Sequence, residues 1–126
     1  IEIVAQLGRA PDVVVVPVSA DFLSLKGAEQ VERALNALEP VFKRRLPRRY
    51  VLTRFDMRRR MSGAVEERMK ELFRVDEICV TRIRENVKLA ESPSVGLDIF
   101  RHAPGSRGAR DYAALHEELL GAGLLR

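Results

Sequence analysis

The stretch Val13-Val14-Val15-Val16-Pro17-Val18 decides the fold. An unbroken β-branched run of this kind, led in by Asp12, reads as a strand covered on both faces, as in a parallel sheet. Working outward, Ser19–Leu25 is a loop at the carboxyl end of that strand, with Ser24 as the N-cap and Lys26-Gly27 opening a helix. Ala28, Val31, Leu35, Leu38 and Phe42 recur at helical spacing, so one face packs on the sheet. Pro47 breaks the chain, and Tyr50–Phe55 is the next strand. Ser62 caps a second helix, whose buried stripe is Val65, Met69, Leu72 and Phe73 and whose Glu66, Glu67 and Lys70 face solvent. Glu77–Val80 reads as a third strand. The expected fold is α/β, a partial doubly wound parallel sheet with strands at Val13–Val18, Val51–Phe55 and Glu77–Val80 and helices on its faces. Ile1–Leu7 reads as the last turns of a helix ended by Gly8, and Leu97–Phe100 as a short extended segment. A last helix, capped by Ser106, would turn Ala109, Tyr112, Ala113, Leu115 and Leu119 inward and stop at Gly121 or Gly123.

The 126 residues, 46% of them hydrophobic, suffice for one domain over 1–126 with one modest core, and exclude a disordered chain. No apolar run approaches the roughly 20 residues that span a bilayer. Ile1–Leu7 is short, contains Glu2 and lacks a basic leader, so no signal peptide is expected and a cytoplasmic location fits. Cys79 stands alone in an apolar run and reads as a buried structural thiol. One cysteine and two histidines argue against a structural zinc site. His102 has no Ser or Cys neighbour to activate, and both it and His116 read as surface residues.

Net charge is +4 and the pI is near 9.7, but the excess is unevenly placed. Lys43, Arg44, Arg45, Arg48, Arg49, Arg54, Arg58, Arg59 and Arg60 fall close together with only Asp56 against them. Such a cluster favours polyanions through phosphate contacts and counterion release. A solvated, arginine-rich surface accounts for the same pattern. The cluster carries no interleaved aromatic platform for stacking bases, which argues against single-stranded recognition.

The segment Arg82–Gly96, RIRENVKLAESPSVG, follows the third expected strand. A helical turn or two fits Glu85–Glu91, and Pro93 and Gly96 stop it. The carboxyl end of a strand is where α/β sheets hold ligands; an ordinary surface loop would look alike. This segment resembles the late signature of the ParA/Soj/MinD-type P-loop ATPases, above all the chromosome- and plasmid-partitioning ParA branch, typically I-P-R-N-V-R-L-A-E-A-P-S-x-G. The matching residues are Ile83, Asn86, Val87, Lys88, Leu89, Ala90, Glu91, Pro93, Ser94 and Gly96, and the likeness continues through Ile99, Pro104, Ser106, Gly108, Ala109 and Tyr112. Asp12–Val18 is similar to a family strand that follows the Walker B carboxylate. Asp21–Gly27 is similar to the family's E-x-x-A-L-x-G, with Asp21 for the Glu and Ser24 for the Ala. Leu52–Arg58, LTRFDMR, matches the family's L-T-M-F-D-x-R.

The resemblance implies the carboxyl-terminal half of a ParA/Soj-like partitioning ATPase, and a cytoplasmic, nucleoid-associated protein. It implies a homodimer driven by ATP and Mg2+, non-specific binding of double-stranded DNA, and a ParB-like partner. Thr53, Arg84 and Pro93 fall at positions near the nucleotide base in relatives. Arg54, Arg58, Arg59, Arg60, Arg82, Arg84 and Lys88 would form the DNA-facing surface. Arg84 stands where the family has Pro, and Glu85 where it has Arg, and a Glu beside phosphate repels it. No G-x-x-x-x-G-K-S/T loop occurs here, and phosphate transfer needs one, so this chain alone is expected to bind no cofactor and hydrolyse no ATP. Gly121–Arg126 is too short and too weakly charged for a membrane-binding tail. A contrasting expectation is a ParA-derived interaction module that has lost nucleotide chemistry. A sheet lacking its first half would leave an apolar edge and face, which predicts self-association or poor solubility of the isolated segment.

Overall fold

The computed structural model describes residues 13–85 and 107–124. Strand β1 (Val14–Ser19) leads to helix α1 (Phe22–Phe42), strand β2 (Arg48–Phe55) and helix α2 (Arg60–Leu72). A single 3-10 turn (Val75–Glu77), strand β3 (Ile83–Arg84) and helix α3 (Arg107–Gly121) follow. The sheet has the order β1-β2-β3 and every pairing is parallel, as expected. Val16 pairs with Tyr50 and Val18 with Leu52, while Thr53 pairs with Ile83.

Strand alternation divides the core in two. Val14, Val16, Val18, Tyr50 and Leu52 pack with Leu25, Ala28 and Leu35 of α1 and Val65 and Met69 of α2. Tyr50 stacks on Phe73, ring centroids 3.9 Å apart. On the opposite face Val51 and Ile83 pack with Cys79 and with Leu115 and Leu119 of α3. Two helices on one face and one on the other give the partial doubly wound arrangement. Val15 and Pro17 of β1 are half-buried rather than buried, so among the described residues this strand is covered fully on one face only. Leu38 and Phe42, expected inward, are 43% and 37% exposed near the end of α1.

Several local expectations need correction. Asp21, not Ser24, caps α1: its Oδ1 accepts from Ser24 N at 2.7 Å, and Ser24 Oγ accepts from Ser19 N at 2.9 Å. Both residues can cap, and the turn out of β1 brings the earlier one into place. Ser62 does not cap α2, which starts at Arg60; it is buried, and its Oγ accepts from Asp56 N at 3.2 Å. The third strand is not at Glu77–Val80. Ile78 makes one isolated bridge to Tyr50, and Cys79 N donates to Tyr50 O at 2.9 Å, but the ladder resumes only at Ile83. Gly123, φ 74°, ends α3 as C′ of a Schellman turn, with Leu124 N on Leu119 O and Gly123 N on Leu120 O. The expected segments at Ile1–Leu7, Glu85–Glu91, Leu97–Phe100 and Ser106 fall wholly or partly outside the described residues.

Between Cys79 and β3 the chain is held by α3 instead of by the sheet. Glu118 accepts from Val80 N and Thr81 N, each at 2.8 Å. One helical face therefore supplies Leu115 and Leu119 to the core and a carboxylate to two backbone amides. Burial raises the Glu118 pKa, but the bonds from Thr81 and Val80 outweigh it, and the net shift is downward from 4.5. A depressed carboxylate pKa gives stability that is complete above the unfolded value and lost as pH falls through the folded one. Glu118→Gln is thus expected to lower the urea midpoint at pH 7, with the gap to wild type closing as pH drops below 4.5. A gap constant from pH 7 to pH 3 would refute this role. Burial, helped by the same carboxylate, pushes the Cys79 thiol up to about 12, so it is an inert, buried thiol as expected.

Candidate functional site

The carboxyl ends of β1 and β2 open on a cavity of about 460 Å³ lined by Ala20, Asp21, Arg54, Arg59, Arg60 and Met61. The chain builds this rim with an irregularity. Thr53 pairs with Ile83 and Phe55 with Arg84, so Arg54 is the extra residue of a β-bulge. Its φ is 53°, a left-handed conformation that costs a non-glycine residue roughly 1–2 kcal/mol. The bulge turns Arg54 outward, with 64% of its side chain exposed. Asp56 then shapes the exit from β2. Its carboxylate accepts from Arg58 N, Nε and Nη2 at 3.0–3.1 Å, and Arg58 holds it below the ordinary carboxylate range. Arg58 remains 90% exposed and Arg59 57%. Arg60 opens α2, exposed and with no ion pair among the described residues.

The arginine-rich stretch is split by the fold. Arg54, Arg58, Arg59 and Arg60 gather at the carboxyl end of β2. Arg45 and Arg48 lie at its other end, bound by Glu32, Glu39 and Glu77 and away from this site. The expected site residues Arg82, just before β3, and Arg84, on it, are engaged internally. Arg82 pairs with both carboxylate oxygens of Glu66, which therefore does not simply face solvent, and lies 4.5 Å over the Phe55 ring. Arg84 pairs with the buried Asp111 of α3 through Nη2 at 2.7 Å, and its backbone N donates to the same carboxylate at 2.9 Å. That contact raises the Arg84 pKa. Lys88 and Pro93 lie outside the described residues.

Thr53 faces the other side of the sheet. It borders a cleft of about 130 Å³ with Val15, Pro17, Val51, Ile83, Tyr112 and Leu115. Thr53 and Arg84 are thus one register step apart on neighbouring strands. The cleft has apolar walls and the side chains of Thr53 and Tyr112, and no charged residue lines it. Among the described residues no group of three or more His, Cys, Asp or Glu is placed to hold a metal ion. Asp56, Glu66, Asp111 and Glu85 were not foreseen as the partners of these arginines. The one sequence signal among them is Asp56, which stands just before Arg58 and Arg59 along the chain.

No family model matches the chain. It is 36% identical over 112 residues to the chromosome-partitioning ATPase Soj of Thermus thermophilus, covering 88% of this chain and 45% of that one. It is 35% identical over 115 residues to the sporulation initiation inhibitor protein Soj of Bacillus subtilis, covering 90% and 45%. The chromosome partitioning protein ParA of Myxococcus xanthus is 31% identical over 114 residues, covering 88% and 39%. The chain spans a little under half the length of these curated relatives. No helix among the described residues is long and apolar enough to cross a membrane.

Proposed function

We propose that this chain, a relative of the Soj/ParA chromosome-partitioning proteins, supplies the DNA-facing surface and the base-side nucleotide contacts of a partitioning ATPase. The observation that carries the reading is the exposed group Arg54, Arg58, Arg59 and Arg60 at the carboxyl end of a parallel sheet, beside a cavity. Ligands of open α/β sheets sit at this end. Guanidinium groups without aromatic platforms or base-reading partners neutralise phosphates regardless of sequence. Thr53 and the stem of Arg84 would border the base. ATP and Mg2+, bound through residues beyond this chain, would supply the phosphate chemistry. A homodimer and a ParB-like partner follow the same family reading, as does a place on the nucleoid.

The test is a gel shift of the full-length protein at low salt on several unrelated duplexes. Comparable shifts on all of them, lost steeply as salt rises, are expected. Absence of any shift at low salt would overturn the reading.

One observation favours a second reading. Phe22, Leu23, Met57 and Met61 are all half or more exposed at the same end of the sheet, which suits docking of a protein partner by a module without nucleotide chemistry. On that reading DNA would not shift.

A further inference from the structure

Glu85 stands where β3 ends, and its position is fixed by the backbone: Glu85 N donates to Phe55 O at 3.0 Å, across from the bulge. From there its carboxylate reaches the two arginines of the cavity rim nearest the sheet. Oε2 lies 2.9 Å from Arg59 Nη1, and Oε1 lies 3.6 Å from Arg54 Nη2. Arg59 is also 3.7 Å from Asp56 Oδ2. The fit is incomplete. Glu85 Oε2 is buried, yet it has no well-aligned hydrogen bond despite its short approach to Arg59. A carboxylate has two oxygens and one plane, whereas a phosphate presents several oxygens around a tetrahedron. Two arginines converging from a bulge and a helix start suit the second shape at least as well.

We propose that Glu85 is an internal stand-in for phosphate, which occupies the Arg54–Arg59 pair and sets how tightly that pair takes an external phosphate group. The inference rests on the reading of this rim as a phosphate-contacting surface, and it names the residue that tunes it. An incoming phosphate must displace Glu85 from Arg59 and then stand beside a released negative charge. Both effects weaken binding, so the pair discriminates against weakly held or isolated anions. Arg58 and Arg60, which have no contact with Glu85, remain open to make the first encounter.

Wild-type full-length protein is compared with Glu85→Gln and Glu85→Ala, using a mixed-sequence DNA duplex and inorganic phosphate as separate probes. Both variants are expected to bind DNA roughly threefold to fivefold more tightly, the worth of one partly exposed ion pair, and to bind phosphate more tightly. The gain should vanish in a background of Arg59→Ala. Glu67→Gln, a charge change on exposed α2, should give a smaller gain. Unchanged affinity for both probes in both Glu85 variants overturns the inference, as does an equal gain from Glu67→Gln. If the Glu85 variants gain phosphate affinity while no form binds DNA, the inference stands and the DNA reading falls. If all forms bind DNA equally well and phosphate binding is unaltered, the DNA reading stands and the inference falls.

Discussion

Arg48→Ala is expected to destabilise the fold by about 3–5 kcal/mol, the cost of leaving buried charges without their partner. Arg48 is fully buried at the start of β2. Its Nε donates to Leu46 O at 2.9 Å. Nη1 donates to Glu32 Oε2 at 3.1 Å and Asn36 Oδ1 at 3.0 Å, and Nη2 to Glu39 Oε1 at 2.9 Å. One guanidinium thus ties β2 to three positions of α1. Tyr50 donates its hydroxyl to the same Glu32, and burial with that bond pushes the Tyr50 pKa well upward. Arg45 closes the network by pairing with Glu77, Glu39 and Glu32. Removing Arg48 empties a fully buried site, takes one cation from Glu32, which is left with Tyr50 and Arg45, and frees Leu46 O of its donor. A domain of this size is stable by only about 5–15 kcal/mol, so much of the margin would go. Arg45→Ala should cost less, because Arg45 is itself 27% exposed where Arg48 is fully buried, although the buried Glu77 would lose its partner. Urea denaturation compares the two. An Arg48→Ala midpoint equal to that of wild type, or a larger loss in Arg45→Ala, would show that the network is not what joins α1 to β2.

That network also shows what the sequence made legible and what it did not. The run at Val13–Val18 and the stripe Val65, Met69 and Phe73 could be read because β-branched runs and helical spacing are local signals. The parallel order of the sheet followed from them. The placement of the arginines was not local. Strands rise about 3.3 Å per residue, so Arg48 and Arg54 stand about 20 Å apart at opposite ends of β2 although they are near neighbours in sequence. A sign of the split was present: Glu32, Asn36 and Glu39 recur at helical spacing on α1, a polar stripe that called for a buried cation. The third strand was misplaced for a related reason. Ile78, Cys79 and Val80 look alike in a window, but Val80 is 89% exposed and its amide goes to Glu118, far along the chain. Nor could spacing show that Arg82 and Arg84 would be taken by Glu66 and Asp111. Those pairings move the weight of the proposed interface onto Arg54 and Arg58–Arg60.

Replacing Arg58, Arg59 and Arg60 together with Ala is expected to lower the affinity of the full-length protein for duplex DNA by about 10²-fold or more at moderate salt. Each phosphate contact contributes about 0.9 to the slope of log affinity against log salt. Arg58 and Arg60 are exposed and point away from the core, so the fold should survive the change, which a thermal melt checks directly. Asp56, 13% exposed, would lose its two arginine partners but keep the backbone N–H of position 58, which donates to its Oδ1 at 3.0 Å. The decisive measurement is the salt dependence of duplex binding for wild type and this triple variant. The account predicts a slope shallower by about two to three in the variant, with weakening equal across unrelated sequences. An identical slope and affinity in a variant that melts like wild type would place the DNA contacts elsewhere and contradict the account.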